Sequence, residues 1–121
     1  MRKAPWIAAL ALAGCGRLSG PPAVVAVLPD FTMTAVGDKG ERPFGLKDMR
    51  GRVWVADFIF TRCGGPCPML STQLAELSHV LAAEVGLMSV TVDPEGDTPE
   101  RLRAYARSYG ADPRRWVFLR G

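Results

Sequence analysis

The sequence predicts an α/β sandwich in which an N-terminal β-hairpin leads into a mainly parallel central sheet. Three observations carry that prediction. Two nearly continuous apolar runs, R-V-W-V-A-D-F-I-F at 52–60 and L-M-S-V-T-V at 87–92, read as strands buried on both faces. Each is followed by a segment with apolar residues at helical spacing. A third short run, R-W-V-F-L at 115–119, then completes the order hairpin, β, α, β, α, β, which is the alternation that builds parallel sheets.

Taken in order, residues 16–29 hold Gly16, Ser19, Gly20, Pro21, Pro22 and Pro29 around a short Ala/Val run and read as a tether. F-T-M-T at 31–34 and E-R-P-F at 41–44 flank the turn signal Gly37-Asp38-Lys39-Gly40, predicting the hairpin. Leu46 to Met49 make one helical turn closed by Gly51. The 52–60 run is the expected central strand. From about Cys67 to Ala83, Leu70, Leu74, Leu77 and Leu81 recur at helical spacing, and Gly86 ends the segment before the second strand. In D-P-E-G-D-T-P-E, Thr98 is a natural cap, Pro99 suits the first helical position, and Glu100 favours the N-terminal dipole. Leu102, Tyr105, Ala106 and Tyr109 form the inner face of that helix, and Gly110 stops it.

At 121 residues the chain is one domain at most, with a formal charge of +3. Basic residues are dispersed and no basic stripe with interleaved aromatics occurs, which argues against nucleic-acid partners. Residues 1–14 stand apart. Arg2 and Lys3 precede an apolar core from Trp6 to Ala13, too short for a spanning helix of roughly 20 residues but right for an export signal. The run ends Leu12-Ala13-Gly14-Cys15 and resembles a lipobox, so residues 1–14 are expected to be a lipoprotein-type signal, with Cys15 lipidated and 15–29 the tether to a domain at 30–121. The protein is then expected at the cell membrane, lipid-anchored, facing the periplasm or the exterior. Without residues 1–14 the chain has 13 basic and 12 acidic residues and is almost neutral. If Cys15 carries lipid, Cys63 and Cys67 remain as a pair in a compartment that permits disulfides.

The pair sits in T-R-C-G-G-P-C-P-M at 61–69, between a strand and a helix. Unpaired N–H groups and the positive helix end at such a junction lower the pKa of a nearby thiol. Gly64 and Gly65 let the loop bend, and Pro66 fixes the entry into the helix. The residues leave three uses open: a structural disulfide, a redox pair, or a clamp for a soft ion such as Cu(I) or Zn(II). Two thiolates do not complete a structural zinc site. A reductase favours the tighter C-x-x-C, whereas the extra glycine here suits a metal clamp.

D-F-I-F-T-R-C-G-G-P-C-P-M at 57–69, V-T-V-D-P-E-G-D-T-P-E at 90–100 and W-V-F-L-R-G at 116–121 together resemble the Sco/SenC family of thioredoxin-like copper-delivery proteins, over roughly residues 29–121. The resemblance implies copper, as Cu(I) or Cu(II), held by Cys63 and Cys67, with Asp93 near the metal site to orient or tune it. It implies a role in assembling the copper centre of cytochrome c oxidase, with that oxidase subunit or another periplasmic copper protein as partner. Asp57, six residues before Cys63, resembles the buried aspartate of thioredoxins, which moves the proton of the second cysteine. It is the candidate catalytic carboxylate, with Cys63 attacking and Cys67 resolving, if the pair is redox-active.

The family's third ligand is a histidine beyond the W-x-F-L-x-G segment, and this chain stops at Gly121. The sole histidine, His79, is about 12 residues past Cys67, or roughly 18 Å along a helix, and is expected on the surface. The resemblance therefore implies a domain whose C-terminal part is missing. A copper chaperone is the leading expectation. A membrane-anchored thiol–disulfide reductase and an inert fragment with a structural disulfide are the alternatives.

Overall fold

A computed structural model describes residues 20, 21 and 23–121. The signal segment 1–14 and Cys15 lie outside the described residues. Residues 23–30 have no regular structure, and Val24, Val25 and Val27 are largely exposed. Among the described residues no helix is long and apolar enough to cross a membrane.

The hairpin forms from β1 (Thr32–Gly37) and β2 (Gly40–Gly45), antiparallel across the Asp38-Lys39 turn. The single turn α1 (Leu46–Met49) starts where Asp48 Oδ2 accepts from Gly45 N at 2.8 Å. Its exit passes through Gly51, whose φ of 77° suits glycine. Next come β3 (Trp54–Ile59), α2 (Pro66–Val80), β4 (Gly86–Thr91), α3 (Pro99–Ser108) and β5 (Trp116–Arg120). Thr98 caps α3 as expected, its hydroxyl accepting from Arg101 N at 3.4 Å.

One five-stranded sheet results, in the order β2-β1-β5-β4-β3. β3, β4 and β5 run parallel, and β1 joins β5 antiparallel. One face packs under both long helices, through Val36, Ile59, Leu74, Leu87, Leu102, Trp116 and Phe118. The opposite face gathers Ala35, Phe44, Met88 and Leu119. Leu87, Leu102 and Leu119 are wholly buried, and burying a side chain of this size contributes about 1.5–3 kcal/mol.

Two expectations are corrected. Among the described residues the 52–60 run, expected as a central strand, forms β3 at the end of the sheet, with Ala56 exposed and Phe58 66% exposed. The run also predicted cover on both faces, whereas the face carrying Ala56 and Phe58 is open among the described residues, and the most interior strand is the short β5. Leu70, which opens the apolar repeat with Leu74, Leu77 and Leu81, is 43% exposed.

Candidate metal and thiol site

The carboxyl ends of parallel strands, with helix N-termini above them, are where ligands bind in open α/β sheets. Here that end carries the 60–67 loop and the 92–98 loop. β3 delivers the chain into a tight turn closed by Cys63 N donating to Phe60 O at 3.0 Å. Gly64 and Gly65 then carry it to Pro66, the first residue of α2.

Cys63 is half-buried, Cys67 is buried in the first turn of α2, and both are free thiols. The two are electrostatically unequal. The neighbouring Cys67 thiol lowers the Cys63 pKa, with the Gly65 and Cys67 N–H groups adding to the effect. Burial pushes the Cys67 thiol up, and the Cys63 thiol beside it raises it further. Cys63 is thus the readier thiolate, and Cys67 holds its proton longer. One helical turn beyond Cys67, the wholly buried Ser71 hydroxyl meets the Tyr105 hydroxyl at 2.8 Å. Burial also pushes the Tyr105 hydroxyl up, so it stays neutral as a wall of the site.

Asp57 points into the same face as Val55 and Ile59, beside Ser89 across the β3–β4 pairing. Neither of its carboxyl oxygens has a hydrogen-bond partner, although both are sealed from solvent. Burial raises its pKa. The nearby Ser89 hydroxyl, whose oxygen accepts from Trp116 Nε1 at 2.9 Å, tempers that rise.

Asp93 grips Arg62, Nη2 to Oδ2 at 2.8 Å, and its other oxygen accepts from Gly96 N at 3.1 Å. The Arg62 guanidinium holds the Asp93 carboxyl below its usual value, with the Gly96 N–H adding to it. His79 is exposed in the last turn of α2, remote from the thiols. Among the described residues no group of three His, Cys, Asp or Glu converges to hold a metal. The loop therefore offers two sulfur donors, a set suited to a soft monovalent ion in low coordination.

Sequence reasoning missed Asp97. It is wholly buried and takes bonds from Thr61 N at 3.0 Å, from the Thr61 hydroxyl at 2.6 Å and from the Thr91 hydroxyl. Its place four residues after Asp93, in an acidic stretch that looked like a solvated loop, carried no local sign of burial. The partner that explains it is 36 residues away.

The SCO1/SenC family model matches residues 23–117. Among solved structures, the chain is similar to a SCO1/SenC family lipoprotein from Bacillus anthracis, at 37% identity and a TM-score of 0.68, covering 78% of this chain and 56% of that one. It is similar to BsSco, described as a member of the Sco family of cytochrome c oxidase assembly proteins with a disulfide switch (35%, TM-score 0.62, 77% and 54%). It is also similar to Bradyrhizobium japonicum ScoI solved with copper bound (26%, TM-score 0.67, 79% and 59%). The chain spans between a half and three fifths of each of these proteins.

Proposed function

The chain belongs to the SCO1/SenC family, and on that premise we propose that it is a copper carrier that binds Cu(I) through Cys63 and Cys67 and serves assembly of the copper centre of cytochrome c oxidase. Lipid on Cys15 would hold it at the membrane, facing the periplasm or exterior. The observation that carries the reading is the pair of free thiols, one half-buried and one buried, at the junction of the 60–67 loop and α2. The copper-bound relative supports the choice of metal.

Transfer is ligand exchange. Cu(I) displaces the thiol protons on loading and is held between the two sulfurs. An acceptor thiolate would then add to the metal and displace Cys63 first, the more exposed donor; a second acceptor ligand would displace Cys67, and the two released thiolates would take up protons. No electron changes hands. A third ligand comes from the acceptor or from outside the described residues, since His79 is too distant to serve.

The unequal thiols and the unsatisfied Asp57 favour a second use of the same pair, thiol–disulfide reduction. Cys63 would attack the substrate disulfide, Asp57 would take the Cys67 proton, and Cys67 would resolve the mixed disulfide.

Anaerobic Cu(I) titration of the reduced chain against a competing chelator tests the proposal. Tight one-to-one binding, lost in Cys63→Ser and kept in His79→Ala, is the expected result. A folded protein that binds no copper but reduces a model disulfide would overturn the copper reading in favour of the second.

A further inference from the structure

We propose that Asp97 is the positioning residue of the cysteine loop: its buried carboxylate sets where the turn before Cys63 stands relative to the sheet, and hence how the two sulfurs face each other. The proposal rests on reading Cys63 and Cys67 as the working pair.

The turn that presents Cys63 comprises Phe60, Thr61, Arg62 and Cys63. Both of its central residues are held from the 92–98 segment. Thr61 gives its main-chain N–H to both Asp97 oxygens, at 3.0 and 3.1 Å, and its hydroxyl to Oδ1 at 2.6 Å. Arg62 is held by Asp93. The two grips differ in kind. Arg62 and Asp93 have side-chain exposures of 62% and 33%, and an ion pair so open to water is weakly constraining. Asp97 has no exposure at all, and its third donor is the Thr91 hydroxyl at the end of the interior strand β4. Its own N–H donates to Asp93 O at 2.8 Å, so one short segment carries both grips. The Asp97 contact ties the turn to the rigid sheet.

A β-carbon built on Gly64 or Gly65 would meet no atom within 4 Å, so side chains there would face open space. Gly96 serves the outer grip, since a β-carbon there would collide with the Asp93 carboxylate and the Arg62 guanidinium. Sites of this kind tolerate displacements of only about 0.5 Å before they lose function. A group that orients metal-binding side chains without touching the metal alters affinity by about 10–100-fold when removed.

The test compares Asp97→Asn, Thr61→Val and Thr61→Ser with Phe44→Leu, a core variant on the other face of the sheet, all in the full chain. Two readouts are taken and set against unfolding stability in urea. The first is the equilibrium with oxidised glutathione, in which the Cys63 and Cys67 thiols become a disulfide and one oxidised glutathione becomes two reduced molecules. The second is Cu(I) affinity by chelator competition. Asp97→Asn is expected to shift both by about tenfold and Thr61→Val by about threefold, while Thr61→Ser, which keeps the hydroxyl, stays near wild type. Phe44→Leu should lose stability with both readouts unchanged. The proposal fails if the readouts follow stability alone across all four variants, or if Asp97→Asn folds with both unchanged. Should Asp97→Asn not fold, the Thr61 pair decides. A glutathione equilibrium that shifts as expected in a protein that binds no copper upholds the positioning role and overturns only the copper reading.

Discussion

Asp97 and Asp57 are both carboxylates withdrawn from water at the end of the sheet that carries the cysteines, yet Asp97 accepts from Thr61 and Thr91 while neither oxygen of Asp57 has a partner. The difference teaches where the molecule uses charge for architecture and where it holds charge in reserve. A satisfied buried carboxylate organises its donors, and removing it leaves them stranded. An unsatisfied one costs stability continuously and persists where a proton must be moved. The two acids lie on opposite sides of the first cysteine in the site's logic: Asp97 fixes its loop, and Asp57 faces the helix that carries the second.

The largest expected effect tests the architectural half. Asp97→Ala should lower unfolding stability by about 3 kcal/mol in urea titrations, because the Thr61 N–H and two hydroxyls lose their acceptor. A loss below 1 kcal/mol would show that water replaces the carboxylate and would erase the contrast.

The next largest concerns the thiols. Cys63 should be alkylated about tenfold faster than Cys67 in the folded protein, and equally fast once unfolded, since the neighbouring thiol lowers one pKa while burial raises the other. Mass spectrometry after timed iodoacetamide exposure checks this.

Asp57→Asn should act in the opposite sense to loss of Asp97, stabilising the fold by about 1 kcal/mol at pH 7. Burial raises the folded pKa of Asp57 above its unfolded value of 3.8. Its protonated form therefore supports the fold fully below pH 3.8, and that support is lost as pH rises through the folded value. The gain from Asn is accordingly present at neutral pH and disappears in acid. The same variant should slow reaction of Cys67 with a mixed disulfide if Asp57 is the proton acceptor. Unchanged stability at pH 7 would mean that Asp57 is neutral there or finds a bridging water.

The smallest effect is at the outer grip. Asp93→Asn should cost less than about 1 kcal/mol and less still in 1 M salt, because the Arg62–Asp93 pair is open to solvent. A larger, salt-insensitive loss would place Asp93 with Asp97 as architecture.

Much of this was legible before any coordinates. The hairpin, the three later strands, both long helices, the Thr98 cap and the cysteine junction follow from turn residues, periodicity and capping chemistry, all of which act over a few residues. His79 was assigned to the surface, where it is. Asp57 stood out because a carboxylate inside an apolar run is locally conspicuous. Lateral order is different. Every strand has two edges and an apolar run names neither neighbour, so nothing local placed β3 at the end of the described sheet, and the cover expected on both faces is absent at Phe58. Asp97 escaped for the same reason. Its burial is made by Thr61, which approaches from 36 residues away. By itself the sequence determined which segments become strands and helices and where reactive sulfur stands. Only the tertiary structure decided which strand lies at the edge and which aspartate holds the loop, because those depend on contacts between segments that no local pattern encodes.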